Sequence, residues 1–204
     1  TMLQWAKRWA WGSQVTLIHN GVDLNKFKPN GERRDLRVKK PVILSVGALV
    51  WYKYHERTIK ALSLLKQGSL VIVGEGPQKS NLESLGKSLL GNRFKIMQVG
   101  YKDLPAIYRT ADLFVLPSWE REAFGIVYLE AMASGLGVVA PNDLTRSEII
   151  GDGGILVNVA DSKKYADAIK QALKTDLKGK AINQSKKFSW EKIAREYETA
   201  FESI

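Results

Sequence analysis

The chain has 204 residues, no cysteine and two histidines, His19 and His55. Disulfides, thiolate zinc sites and cysteine nucleophiles are therefore excluded, and a histidine-based metal centre would need carboxylates for most of its ligands. No apolar run approaches the ~18 residues that a spanning helix needs, and no signal-peptide pattern precedes the first apolar segment. The expected location is cytoplasmic. Several phosphate and nucleophile motifs are missing as well. There is no Gly-x-x-x-x-Gly-Lys-Ser/Thr loop and no Gly-x-Ser-x-Gly elbow, which removes hydrolysis of the kinds those loops support. No Asp-x-Asp pair occurs, which disfavours a divalent-cation clamp on a diphosphate. The repeated glycines of a dinucleotide fingerprint are lacking too; the partial match, Gly74-Glu75-Gly76-Pro77, has Lys79 where a third glycine belongs. That segment reads as a turn and helix start.

What is present is an ordinary globular composition, 45% hydrophobic and 25% charged, with a formal net charge of +10. The basic residues gather at Lys26, Lys28, Arg33, Arg34, Arg37, Lys39 and Lys40, and again at Lys174, Lys178, Lys180, Lys186 and Lys187. Neither group interleaves with aromatics as a single-strand-binding surface does, so no nucleic-acid partner is expected. Contact with an anionic membrane surface, peripheral on its inner face, is the secondary expectation from the charge.

Along the chain, Trp5 and Trp9 lie four apart in an amphipathic N-terminal helix pattern. VTLIHNGVD reads as a short strand running into an Asn20-Gly21 turn, and residues 26–40 as a loop or frayed linker. From Pro41 onward, six short apolar runs alternate with helix-period segments: PVILSVG, SLVIVGEG, FKIMQVG, DLFVLPS, LGVVAP and GGILVNV. Strands apolar on both faces and separated by helices predict an α/β fold, a Rossmann-like doubly wound parallel sheet of about six strands in the order 3-2-1-4-5-6. Ser189 is placed as N-cap of a last helix bearing Trp190, Ile193, Ala194, Tyr197 and Phe201. Three parts are expected: a linker helix at 1–14, a ligand-binding domain at 15–188 and a C-terminal helix at 189–204.

In that topology the crevice opens between strands one and four. Lys53, on the loop after strand one, then faces Glu122, on the loop after strand four. If a helix begins near Phe124 or Gly125, the amides of Gly125 and Ile126 are donors at its positive end and suit a diphosphate. Glu122 can accept from sugar hydroxyls, and Glu130 bidentately from a ribose diol. The plainer reading makes Glu122 a helix-start acid and Glu130 an exposed helix residue, and spacing alone leaves both open. Trp51 and Trp119 sit on the two switch-point loops, suited to a sugar face or to walling the cleft.

HNGVD, SVGALVWYK, VIVGEGP, QVGYKDLPAIYRTADLFVLPS, EAFGIVYLEAMASG and EIIGDGGILV together resemble the carboxyl-terminal, donor-binding half of the family four retaining glycosyltransferases with the GT-B fold, including their Glu-x7-Glu signature. The resemblance implies metal-independent transfer from a UDP- or GDP-sugar to a glycan or lipid-linked glycan, with no cofactor. Glu122 and Lys53 then match catalytic positions. Glu130, Phe124, Gly125, Ile126, Gly47, Gly100 and Tyr101 match donor-binding ones, the last two beside the nucleobase. Two positions depart from the family: Ala48 stands at the diphosphate arginine, leaving Arg57, Arg121 or Arg146 as substitutes, and Gly137 stands where proline is frequent. The acceptor-binding N-terminal half has no counterpart in these residues, so the chain alone is expected to be inactive. The alternatives are a non-catalytic nucleotide-sugar-binding module working with a partner subunit and a basic polyanion- or membrane-binding domain.

Overall fold

The computed structural model describes residues 2–11, 15–118, 122 and 124–202, with side chains from residue 6 onward. Trp119, Arg121 and the Trp5 side chain lie outside the described residues. Six parallel strands, β1 (Val42–Val46), β2 (Ser69–Val73), β3 (Phe94–Met97), β4 (Leu113–Val115), β5 (Val138–Pro141) and β6 (Gly154–Val157), form one sheet. Its order is β3-β2-β1-β4-β5-β6, the predicted one. The helices are α1 (Met2–Trp9), α2 (His55–Ser63), α3 (Lys79–Leu90), α4 (Leu104–Tyr108), α5 (Ile126–Ala133), α6 (Leu144–Ile150), α7 (Ser162–Ala172), α8 (Lys178–Ser185) and α9 (Trp190–Glu202).

Every residue of β1 and β2 is buried, which explains runs without alternating polarity: each face of the sheet carries its own layer of helices. Successive side chains point to opposite faces, so Leu44 and Val46 join one core with Tyr108, Tyr128, Ile149 and Ala181 from α4, α5, α6 and α8. Ile43 joins the other, with Ile59, Leu82 and Ile169 from α2, α3 and α7. Helix starts follow local chemistry. Asp143 caps α6 by accepting from the Arg146 N–H at 3.0 Å. Asp161 caps α7 by accepting from the amides of Lys163 and Lys164, both at 3.0 Å, and Ser189 caps α9 through the Lys192 N–H at 3.3 Å.

Two local expectations are corrected. VTLIHNGVD is not a strand; its one β-bridge is the parallel pairing of Val22 with Ser189, and it is held instead by side chains, with Val22 in the core and His19 against Phe124, Phe188 and Glu148. Gly21 leaves room for the Trp190 ring, which a Cβ would meet at 2.6 Å, and is not in the left-handed region. Residues 26–40 are not frayed. Phe27 and Leu36 are core residues, and Arg109 and Thr110 tie the loop down by donating to the carbonyls of Glu32 and Arg34 at 2.7 and 2.9 Å.

Helix α9 buries Ile193 and leaves Trp190, Tyr197 and Phe201 exposed, the last at 70%, with the Tyr197 and Phe201 rings stacked. Trp9 and Trp11 are exposed as well. No helix among the described residues is long and apolar enough to cross a membrane.

Candidate functional site

Strand order reverses between β1 and β4, and there the carboxyl ends of both strands open into a cleft of about 310 Å³ lined by Asn20, Gly47, Lys53, Glu122, Phe124, Gly125 and Ile126 among others. Lys53 sits on a 3-10 turn, Trp51–Lys53, and its Nζ pairs with Glu122 Oε2. Both side chains are largely shielded, at 16% and 13% exposure. Gly125 is the N-cap of α5 with φ 88° and ψ 58°, a left-handed conformation open to glycine at no steric cost. A Cβ there would also meet the Tyr128 ring at 2.6 Å. Of the first-turn amides of α5, that of Tyr128 donates to the Gly125 carbonyl at 2.9 Å, while those of Ile126 and Val127 have no intrahelical acceptor and stand at the positive end of the helix. The cleft thus joins a cation, a carboxylate and free amide donors, the requirements of an anionic ligand bearing hydroxyl groups.

Glu130 lies elsewhere. It is buried, at 4% exposure, where Tyr108 donates to its Oε2 at 2.9 Å. Burial raises its pKa, and the hydrogen bonds of Tyr108 and Tyr101 and the charge of Lys26 pull it back down. The expectation of an exposed helix residue is therefore ruled out, because α5 packs between the sheet and α8 with little free surface. Tyr101 is 57% exposed on the loop after β3, beside Gly100, and Lys26 Nζ lies 3.5 Å from its ring centroid. Lys26, Tyr101, Tyr108 and Glu130 form a second cluster next to the first. Lys26 and Tyr108 carried no signal beyond a basic loop and an apolar helix period.

Of the substitutes for Ala48, Arg57 and Arg146 do not line the cleft, and Arg121 lies outside the described residues. Arg57 stacks on the Tyr54 ring at 3.8 Å, which steadies a tyrosine held at φ 53° directly after Lys53. Arg146 is buried at 4% exposure and is a brace. Its NH2 donates to the carbonyls of Ser118 and Glu122 at 3.3 and 3.2 Å, and its NH1 to Asp143 Oδ1 at 3.2 Å. It thereby holds the backbone that presents Glu122.

A second brace is His55, buried at 1%. Its Nε2 lies 3.3 Å from the Ala48 carbonyl and its Nδ1 3.2 Å from Ser45 Oγ. Because a carbonyl only accepts, the neutral ring carries its proton on Nε2 and accepts from Ser45. Burial lowers its pKa from 6.5 to about 4. The unfolded chain therefore takes up a proton that the folded one refuses, and the His55 contribution is complete above pH 6.5 and lost as pH falls toward 4. About 3 kcal/mol of stability should disappear over that window. Urea unfolding from pH 7 to 4 checks this, with His55→Gln showing a flatter profile than the parent.

The glycines after β2 serve packing. A Cβ on Gly74 would collide with the Gly47 carbonyl, and one on Gly76 would meet the Leu49 carbonyl at 2.6 Å. Leu49 and Gln78 close the contact through Leu49 N–H to Glu75 O at 2.8 Å and Gln78 N–H to Leu49 O at 2.9 Å. Pro77 falls two residues before the first residue of α3, Lys79. Gly137 accommodates Leu177, which a Cβ would meet at 2.7 Å.

The family described as Glycosyl transferases group 1 matches residues 28–189. The chain belongs to this family. It is 29% identical over 195 residues to the sulfoquinovosyl transferase SQD2 of Arabidopsis thaliana, covering 87% of this chain and 38% of that protein. It is 31% identical to a D-inositol 3-phosphate glycosyltransferase of Salinispora tropica, covering 90% and 45%. The chain thus spans about half the length, or less, of such relatives. Among solved structures, sucrose-phosphate synthase from Thermosynechococcus elongatus superimposes with a TM-score of 0.86 at 28% identity, covering 98% of this chain and 55% of that one. HepE from Anabaena in complex with UDP-glucose does so with a TM-score of 0.79 at 25% identity, covering 93% and 57%. The group 1 glycosyltransferase domain described here therefore has the Rossmann-like architecture of one half of a GT-B enzyme.

Proposed function

We propose that this domain holds the donor in a metal-independent, retaining hexosyl transfer, binding a UDP- or GDP-sugar in the β1/β4 cleft. One observation carries the reading: Lys53 and Glu122, far apart in sequence, pair directly over the amide end of α5 at Gly125. The α5 amides and the Lys53 ammonium neutralise the diphosphate. Glu122 leaves Lys53 to accept from the sugar beside the reacting carbon, while Phe124, Gly125 and Ile126 line the sugar and phosphate. Glu130 takes the ribose diol, and Gly100 and Tyr101 border the base. HepE, with UDP-glucose bound, supports this choice of ligand class. The acceptor, a glycan or lipid-linked glycan, binds a further domain that covers the aromatic face of α9, so transfer requires that domain.

A second reading, a nucleotide-sugar-binding module without transfer, is favoured by Ala48: its carbonyl faces His55, and neither Arg57 nor Arg146 lines the cleft in place of an arginine. Among the described residues, the leaving diphosphate then has one cation fewer.

Calorimetric titration with UDP, GDP, UDP-glucose and GDP-mannose tests the common core of both readings. Saturable binding of a nucleoside diphosphate is expected, weakening as salt screens Lys53. If none of the four binds the folded domain at millimolar concentration, the donor assignment falls.

A further inference from the structure

The 3-10 turn that carries Lys53 into the donor cleft carries Trp51 into a different one. Trp51 does not line the Lys53 cleft. It lines a separate cavity of about 330 Å³, between the starts of α2 and α3, with Val50, Glu56, Gln78, Asn81 and Leu85. That is the small end of the range for ligand cavities, enough for a sugar ring or two.

The chemistry of the walls is selective. Trp51, exposed at 55%, supplies aromatic surface, and Val50, Leu82 and Leu85 extend it with aliphatic surface. Asn81 donates to Gln78 Oε1 at 3.3 Å, which leaves the Asn81 oxygen as an acceptor and the Gln78 amide hydrogens as donors. Glu56 adds a carboxylate. Although the chain carries 31 lysines and arginines, none lies among the described residues lining this cavity, and the histidine there, His55, is neutral near pH 7. An anionic ligand has nothing to pair with there, and a wholly apolar one would strand two amides and a carboxylate. A molecule with one C–H face and a rim of hydroxyls satisfies both sets of groups.

The walls are also fixed in advance. Gln78 N–H is bonded to Leu49 O, and His55, which closes one side, is held by Ser45 and Ala48. Little ordering is left for a ligand to bring about.

We propose that this cavity is a second, donor-independent binding site for a neutral hexopyranose, one ring of a glycan running past the donor cleft. The site stands apart from the donor reading, and the two are tested separately.

The test is an NMR titration of the domain with cellobiose, maltose and N-acetylglucosamine, read at the Trp51 indole and the Gln78 and Asn81 side-chain amides. At least one sugar should produce saturable shifts at these groups below roughly 50 mM, the weak regime expected for a single ring in a shallow site. Trp51→Ala should abolish them, Trp51→Phe should retain part, and Asn81→Ala, on an exposed helix face, should weaken binding several-fold with the fold intact. UDP should not displace the sugar. Absence of shifts for all three sugars, shifts that survive both Trp51→Ala and Asn81→Ala, or loss of the sugar on adding UDP would each overturn the proposal.

Discussion

Arg146→Ala will lower the stability of the domain by about 3–5 kcal/mol, the cost of stripping one partner from a buried charged network. The guanidinium is 4% exposed and donates to Asp143 and to the carbonyls of Ser118 and Glu122. Without it, two carbonyls lose a donor and the Asp143 carboxylate loses its counter-charge, although Asp143 still caps α6 through the Arg146 N–H. Arg146→Lys should fall between, since a single ammonium cannot span three acceptors that a planar fork reaches together. Urea denaturation measures the effect. Nucleoside diphosphate affinity should fall in both variants under conditions where they remain folded, because the braced backbone presents Glu122. A loss near the value for an ordinary surface arginine, within about 0.5 kcal/mol, would show that Ser118 and Glu122 are held by other contacts.

Glu130→Gln will reduce affinity for UDP by about 10- to 100-fold, with a small change in stability. The amide can still accept from Tyr108, so the buried phenol keeps its partner. What is lost is the charge of the acceptor, and hydrogen bonds to a charged group contribute about 1.5–3 kcal/mol against 0.5–1.5 for neutral ones. Glu130→Ala should weaken binding further and also destabilise the fold, since it leaves the buried Tyr108 hydroxyl with only the long contact to the Val127 carbonyl at 3.5 Å. Calorimetry beside thermal unfolding separates the two effects. Unchanged UDP affinity in a folded Glu130→Gln protein would remove Glu130 from the donor site and leave it a core carboxylate.

The Lys53 and Glu122 pair was legible in advance because it follows from topology. Once the six apolar runs are placed in doubly wound order, the loops after β1 and β4 must meet, and the charged residues on those loops with them. The surroundings of Glu130 were not legible. Its spacing from Glu122 is the same whether it is exposed or covered, and only the packing of α4 against α5, which brings Tyr108 onto its carboxylate, distinguishes the two. Arg146 could be named as a cation near the site, but a sequence does not say whether a guanidinium points at a ligand or at backbone carbonyls. Trp51 showed the same limit, since a residue two positions from Lys53 on a 3-10 turn faces another cavity.

Periodicity alone determined the six strands, their parallel order and the placing of an acid, a glycine and a helix start at the switch point. These are matters of local pattern, which burial on both faces of a parallel sheet leaves little freedom to change. Tertiary structure decided what each polar group near that point does: Glu122 paired, Glu130 buried under Tyr108, His55 neutral, Arg146 holding backbone. The physical reason is range. The Lys53 and Glu122 contact joins residues 69 apart and the Arg146 and Glu122 contact residues 24 apart, and a side chain's partner over such separations is set by how the helices pack, which no local run of residues encodes.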